Sequence, residues 1–260
     1  MNRISVLALR YFHLWIALAC MASGSSVYAQ SGNASSVRSI SELKKEATSG
    51  DVKAQISLGW LYEYGKGVPR DESKAVNWYR TAADNGSVKA QLLLGCLYEY
   101  GAPNENQAEA AKWFRRAAEQ GNAYAQFSVG AEYQYGWGVP QNNAFAAVWY
   151  RKAAEQGEAQ AQESLGYFYL KGLGVPQDYV EAYFWFDIAA AGEIVPAISD
   201  FDEMEPVTAK VIANRERNWQ PALAKERDEA ASHLTPADLS RVQERARKWF
   251  ENHSAKTNPQ

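Results

Sequence analysis

Apolar positions recur along residues 54–82 with the period of an α-helix rather than that of a β-strand. They fall at i, i+4, i+7 and i+8 in a first segment and at i, i+3, i+4 and i+7 in a second, so each segment has one apolar face. The first series is Ala54, Leu58, Leu61 and Tyr62, and the second is Ala75, Trp78, Tyr79 and Ala82. The pattern predicts two amphipathic helices joined by a short link.

The same two-helix pattern occurs four times, at intervals of 35 or 36 residues. Gly59 returns as Gly95, Gly130 and Gly166, and Trp78 returns as Trp113, Trp149 and Trp185. A hairpin of this size cannot cover its own apolar face, so it must stack on the next hairpin. We expect the glycines to let the two helices of a hairpin approach closely, and the four tryptophans to be buried against the neighbouring hairpin.

Short polar residues and glycines mark the ends of the predicted helices. Gly65 is expected to end a first helix in the left-handed conformation, and Val68-Pro69 to extend the link after it. Ser39 and Glu42 have the spacing of a capping box, which starts a helix before the first repeat. The residues predicted to cap the second helices are Asp71, Asn106, Asn142 and Asp178.

These features together resemble the Sel-one-like repeat (SLR), a relative of the tetratricopeptide repeat. The shared motifs in the first copy are Ala54-Gln55, Leu58-Gly59, Tyr62, Gly65-Lys66-Gly67-Val68, Trp78-Tyr79 and Ala82-Ala83-Asp84-Asn85-Gly86. The resemblance covers about residues 39–192. It implies an all-α fold, a right-handed α-solenoid of about four helix-hairpin repeats with terminal capping helices.

Two copies depart from this pattern. The second has one loop residue fewer, with Gly101-Ala102-Pro103 in place of the double-glycine turn. The third has Glu132 where the other copies have an apolar residue. Glu132 is either partly exposed on a tilted helix, which we favour, or a polar contact kept for a partner.

The first 29 residues have the pattern of a signal peptide. Arg3 and Arg10 provide a positive start, and the apolar run at 11–22 is too short to span a bilayer. Small residues at the cleavage-determining positions place the expected cut after Ala29, and predict a periplasmic or secreted protein. Two alternatives stay open, namely a lipoprotein anchored through Cys20 and an uncleaved anchor.

The rest of the chain divides by the same reasoning. Residues 30–38 are a linker, 39–192 hold the N-terminal capping helix and four repeats, 193–220 are an acidic insertion, 221–251 are a C-terminal capping hairpin, and 252–260 are a tail. Thr235 is expected to cap the last helix, with Pro236 in its first turn. The acidic residues of the insertion are interpreted as solvated, with a metal site as the alternative; they are Asp200, Asp202, Glu203 and Glu205.

Charge and cysteine content limit the partners. The net charge is −3, and removing the leader would remove two arginines and no acidic residue, so the mature chain would be more acidic still. An acidic chain argues against nucleic acid as a partner. Only Cys96 would remain after cleavage, so no intramolecular disulfide is expected. Cys96 is interpreted as a small apolar filler, or alternatively as a free thiol in a groove.

Signals for catalysis are weak, and we expect no enzyme, no cofactor and no metal site. The histidines are His13, His233 and His253, so no histidine lies in the repeats, where a triad or a zinc site would need one. Ser41-Glu42-Leu43-Lys44 fits the S-x-x-K pattern of β-lactam-recognising enzymes, but the companion motifs are absent. A β-lactam-type hydrolase is therefore the third and weakest functional hypothesis.

Analogy with tetratricopeptide arrays places the first helices on the concave side, where a ligand would bind. Aromatic residues with scattered charges are typical of interaction hot spots. The leading hypothesis is a cell-envelope scaffold that binds a protein or peptide in this groove; the alternative is a module that binds peptidoglycan or another glycan. The candidate groove residues are Lys53, Trp60, Glu63, Tyr64, Lys89, Leu93, Glu99, Tyr100, Tyr124, Phe127, Tyr135, Gln160, Tyr167 and Lys171.

Overall fold

The computed structural model describes residues 39–100, 106–191 and 222–257, and all regular structure in these ranges is helical. The helices are α1 Ile40–Thr48, α2 Val52–Tyr64, α3 Glu72–Asp84, α4 Val88–Tyr100, α5 Gln107–Glu119, α6 Ala123–Tyr135, α7 Asn143–Glu155, α8 Ala159–Lys171, α9 Tyr179–Ala191, α10 at residues 222–231 and α11 Pro236–Thr257. Helices α1–α5 belong to one compact unit, the N-terminal unit, and α6–α11 to a second, the C-terminal unit.

The predicted fold class, an all-α solenoid of helix hairpins, is confirmed. In the N-terminal unit, α2 packs on α3 to form hairpin 1 and α4 on α5 to form hairpin 2, and α3 also packs on α4. In the C-terminal unit, α6 with α7 and α8 with α9 form hairpins 3 and 4, which pack through α7 and α8. The predicted leader, Cys20, the linker, the shortened loop at 101–105 and the acidic insertion with Asp200 lie outside the described residues.

The predicted helix ends are confirmed where the structure describes them, except at the C-terminal end of the last helix. Ser39 and Glu42 form both bonds of the capping box, and Gly65 ends α2 with a left-handed φ of 66°. Thr235 Oγ1 accepts from the Asp238 amide at 3.2 Å, but α11 then continues to Thr257, beyond the predicted boundary at 251. The side chains that cap the second helices are Asp71, Asn106, Asn142 and Asp178.

The interior of each hairpin is filled by an aromatic ring that lies against a glycine. A Cβ atom on Gly130 would stand 2.5 Å from Tyr150 Cδ1, so no larger residue fits without displacing the ring. The other pairs are Gly59–Tyr79, Gly95–Phe114 and Gly166–Phe186. The close approach predicted for the glycines is therefore confirmed, but it is the residue after each tryptophan that fills the hairpin.

The expectation that all four repeat tryptophans are buried is wrong for two of them. Trp113 and Trp185 are 6% and 3% exposed, whereas Trp78 and Trp149 are half-buried. The Lys152 ammonium lies 4.1 Å from the centre of the Trp149 ring, so this cation covers part of the ring surface that is not packed against other side chains.

A buried glutamine joins hairpins 1, 2 and 4 to the helix that precedes each of them. Gln91 Nε2 donates to the Ala83 carbonyl at the end of α3, at 3.1 Å, and Gln91 Oε1 accepts from Gln120 Nε2 at 2.8 Å. The corresponding donations to carbonyls are Gln55 to Ala47 and Gln162 to Ala154. Each of these carbonyls also accepts a backbone amide just after the helix, so the glutamine adds a second hydrogen bond at the helix end.

Gln91→Met is expected to lower the free energy of unfolding by about 1–2 kcal/mol, because the Ala83 carbonyl and the Gln120 amide both lose a partner. Methionine has a similar volume, so packing changes little. Urea unfolding followed by circular dichroism measures the change. The matched control is Gln107→Met, in the first turn of α5, for which we expect less than about 0.5 kcal/mol. Equal losses in the two variants would contradict the role assigned to Gln91.

Helices α10 and α11 pack on hairpin 4. Lys171 Nζ bonds to Glu229 Oε1 at 2.6 Å, and Gln243 Nε2 bonds to the Tyr183 hydroxyl at 3.1 Å. Val242 and Ala246, which are four residues apart on one face of α11, are buried. Within the described ranges, no helix is both long and apolar enough to cross a membrane.

Candidate interaction surface

The structure places the predicted groove residues in three environments. Lys53 and Lys171 are exposed, and the side chain of Tyr100 lies outside the described residues. The half-buried members are Trp60, Glu63, Tyr64, Lys89, Glu99, Tyr135 and Tyr167. The buried members, which contribute packing rather than open surface, are Leu93, Tyr124, Phe127 and Gln160. The candidate surface of each unit is therefore smaller than the predicted set.

In the N-terminal unit, α2 brings two aromatic rings and a carboxyl group together. Trp60 and Tyr64 are four residues apart, which puts them on one face of the helix, and their ring centres are 5.3 Å apart. Glu63 lies beside them, and its Oε2 accepts from the Tyr79 hydroxyl of α3 at 2.7 Å. The Tyr79 contact fixes the carboxyl group next to the half-buried rings.

Burial raises the pKa of the Glu63 carboxyl, and this effect outweighs the hydrogen bonds from Tyr79 and Tyr64 and the charge of Arg70, which all act in the opposite direction. The ionised carboxylate is therefore disfavoured in the folded protein relative to the unfolded chain. The contribution of Glu63 to stability is fully present below the unfolded pKa, near 4.5, and is lost as the pH rises through the raised folded pKa.

Glu63→Gln is expected to raise the stability of the protein at pH 7 relative to wild type and to lose that advantage below about pH 4.5. Hairpin 3 already has this arrangement, since Gln134 Oε1 accepts from the Tyr150 hydroxyl at 2.5 Å. Urea unfolding from pH 4 to pH 8 measures the difference. The reciprocal control is Gln134→Glu, which should be least stable at the high end of this range. A Glu63→Gln effect of one size at every pH would contradict the assignment.

In the C-terminal unit, the open aromatic residues lie at the ends of α6 and α8. Tyr135 and Trp137 stack with ring centres 4.8 Å apart and planes 24° apart. Burial raises the pKa of Tyr135 to about 12, helped by Tyr167 and the Glu163 carboxylate nearby. The Tyr135 hydroxyl is protonated at physiological pH, as it would be at the ordinary tyrosine pKa of 10.0, and is a hydrogen-bond donor.

The remaining polar residues singled out in the sequence do not add to this surface. Glu132 is buried, so the expectation that it is partly exposed is wrong. Cys96 is also buried, as expected of an apolar filler. Ser41 lies in the first turn of α1, where its hydroxyl is 2.8 Å from Ser39 Oγ. In the described part of the chain, no three His, Cys, Asp or Glu side chains are grouped so that they could hold a metal ion.

The half-buried aromatic rings, the neighbouring carboxyl groups and the protonated Tyr135 hydroxyl can bind by stacking, by apolar contact and by hydrogen bonding. A ring that is already held in place loses little side-chain entropy when a ligand covers it. We call Trp60, Glu63 and Tyr64 the N-terminal patch, and Tyr135, Trp137 and Tyr167 the C-terminal patch. Trp137 lies in a loop, whereas helices fixed by the hairpin core carry the other rings of both patches.

Solved structures of other repeat proteins resemble this chain, and they include the following two. The protective antigen c5321, present in uropathogenic Escherichia coli strains and displaying an SLR fold, is 29% identical over 92% of this chain and 46% of its own, with a TM-score of 0.65. A Sel1 repeat protein from Oxalobacter formigenes is 34% identical over 67% of this chain and 48% of its own, with a TM-score of 0.52. The chain thus spans about half the length of these relatives. No protein of curated function matches its sequence.

The Sel1 repeat model matches residues 52–87, 88–122, 123–158, 159–193 and 230–252. The first four segments coincide with hairpins 1 to 4, and the fifth includes most of α11. Sel1 repeat proteins generally serve as scaffolds for protein–protein interaction and are typically not enzymes. Since the matches cover more than half of the chain and coincide with its stacked hairpins, this protein belongs to the Sel1 repeat family.

Proposed function

We propose that this protein is a non-catalytic scaffold of the cell envelope that binds a protein or peptide through the aromatic residues of its first helices. The observation that carries the proposal is that these helices leave large aromatic side chains half-buried, although the ring inside each hairpin is packed closely against its glycine. The residues are Trp60 and Tyr64 in the N-terminal unit and Tyr135 and Tyr167 in the C-terminal unit.

The chemistry of the two patches favours a peptide. Each patch combines aromatic surface with a nearby carboxyl group, Glu63 in one and Glu163 in the other. Tyrosine and tryptophan dominate binding energy at protein interfaces because they offer a large area with few rotatable bonds. The Tyr135 hydroxyl, which stays protonated, is suited to a backbone carbonyl.

A photo-crosslinker placed at Lys53, a candidate groove residue that is exposed on α2, tests the proposal directly. Benzoylphenylalanine at this position, in cells that express the protein, is expected to capture a defined protein that mass spectrometry identifies. The matched position is Lys74, which is exposed on α3, and it should not capture the same protein. Trp60→Ala in the crosslinking chain should reduce the yield while the melting temperature stays close to that of wild type. Equal capture from both positions would count against the surface, as would a yield unchanged by Trp60→Ala.

The envelope location rests on the signal-peptide pattern of residues 1–29. We expect the protein in the periplasmic or secreted fraction to begin at Gln30. N-terminal sequencing measures this, and a start at a lipid-bearing Cys20 would identify the lipoprotein alternative. A chain that keeps residues 1–29 and stays in the cytoplasmic fraction would exclude the proposed location.

Glycan binding is the second candidate, and the Tyr135–Trp137 stack favours it. Paired aromatic rings can stack on the apolar face of a sugar. Purified peptidoglycan sacculi should then retain the wild-type protein but release Trp137→Ala. Retention of both proteins to the same extent would remove the stack from consideration as a sugar site.

A further inference from the structure

Helix α7 exposes an apolar pair on a face that the proposed function does not use. Phe145 is 55% exposed and Val148 is 51% exposed, and the two are three residues apart, so they share one side of the helix. The Phe145 ring centre lies 5.4 Å from that of Tyr133, which fixes one edge of the ring and leaves the other open. Solvated helix faces rarely keep two large apolar side chains together.

The equivalent positions in the other hairpins show what such a pair requires. Helix α3 has Lys74 and Asn77 there, and both are exposed. Helix α5 has Glu109 and Lys112, which form an ion pair at 2.5 Å. In these two helices the face meets solvent, and its residues are polar.

Helix α9 shows the opposite case, because its equivalent face is covered. Phe184 stands at the position of Val148 and is only 3% exposed. Arg245 of α11 lies over its ring, 3.8 Å from the centre, and also pairs with the Glu181 carboxylate at the position of Phe145. An amphipathic helix thus covers this face where it carries a phenylalanine.

The covered surface of α9 continues towards the open face of α7. The ring of His253, in the last turns of α11, stacks on Trp249 at 3.7 Å, and its Nε2 lies 3.1 Å from the Glu155 carbonyl at the end of α7. This contact joins the last turns of α11 to the C-terminal end of α7. Phe145 and Val148, two to three turns earlier, remain open.

We propose that the face of α7 formed by Phe145, Val148, Trp149 and Lys152 docks an amphipathic helix of a protein partner, in the manner in which α11 covers α9. The partner helix carries acidic residues beside its apolar stripe. Lys152 holds a positive charge over Trp149, 4.1 Å from the ring centre, and the single acidic residue of α7 is Glu155 in its last turn. On α9 the Glu181 carboxylate pairs with Arg245 of the covering helix. On α7 the charged group is the Lys152 ammonium, which would pair with an acidic residue of the partner helix.

The test uses the full chain and two labelled synthetic helices with the same leucine stripe, one flanked by glutamate and one by lysine. Fluorescence anisotropy measures their affinities. The glutamate-flanked helix is expected to bind more tightly than the lysine-flanked helix. Phe145→Lys combined with Val148→Asn, which installs the residues of α3, should weaken this binding by about tenfold or more. Trp60→Ala combined with Tyr64→Ala should leave the affinity for the glutamate-flanked helix unchanged, which would show that the α7 face is separate from the N-terminal patch.

Two further variants make the result decisive. Lys152→Glu should reverse the preference between the two peptides, whereas Arg116→Glu at the equivalent position of α5 should not. If the double variant fails to fold, Val148→Asn alone serves in its place. The proposal is overturned if neither peptide binds, or if binding survives the α7 substitutions. It is also overturned if sedimentation shows a dimer that Phe145→Lys with Val148→Asn dissociates, since the face would then bind a second copy.

Discussion

Trp113→Ala is expected to lower the free energy of unfolding by about 3–5 kcal/mol, the usual cost of removing a large buried aromatic side chain. Trp113 is 6% exposed in α5, and the Arg116 guanidinium covers its ring at 4.5 Å from the centre. Urea unfolding followed by circular dichroism measures the loss. A value below about 1 kcal/mol would contradict the buried placement.

Two comparisons identify the source of that loss. Trp78→Ala, at the same position of hairpin 1, removes a ring that is only half-buried and should cost less. Trp113→Phe should also cost less than Trp113→Ala, because it keeps most of the apolar area. It also removes the indole N–H, which is buried without a hydrogen-bond partner among the described residues. If all three substitutions had equal effects, burial of the ring would not explain them.

The sequence was sufficient for the helices and their ends because those signals are local. Ser39 with Glu42 and Asp71 with the amide of Lys74 are contacts between residues three apart, and the repeat shows the second kind of cap four times. Tertiary packing is not local. Trp78 and Trp113 occupy equivalent positions and yet differ in burial, a difference that the repeat pattern does not contain.

The candidate surface was predictable only in outline. Repeat alignment placed Trp60 and Tyr64 among the candidate groove residues, and the structure shows their ring centres 5.3 Å apart. The alignment could not show that Tyr124 and Phe127 of the third copy are buried. Phe127 packs at 5.7 Å from the ring centre of Tyr150, a contact between two helices that periodicity does not reveal.

The α7 face was missed, although the alignment contains a signal for it. Phe145 and Val148 replace Lys74 and Asn77 at equivalent positions, which is the exchange of polar for apolar residues expected of a covered helix. The sequence does not show whether these two side chains are exposed or covered. The same exchange at Phe184 accompanies burial under α11, so only the structure separates an open face from a closed one.

Tyr150→Ala is expected to cost about 3–5 kcal/mol, because the ring is fully buried inside hairpin 3. Its hydroxyl also donates to Gln134, which would lose a partner. Unfolding in urea measures the change.

Gly130 lies opposite the Tyr150 ring, and the effect of Gly130→Ala on stability should change sign when that ring is removed. In the wild-type chain, Gly130→Ala should destabilise by about 1–3 kcal/mol, because its Cβ would stand 2.5 Å from the Tyr150 ring. In the Tyr150→Ala background the ring is gone, so the same Gly130→Ala substitution should stabilise by up to about 1 kcal/mol through helix propensity and a smaller cavity. A double-mutant cycle measures the coupling. Equal effects of Gly130→Ala in both backgrounds would mean that the ring does not set the spacing of the two helices, and that another contact holds the hairpin at this distance.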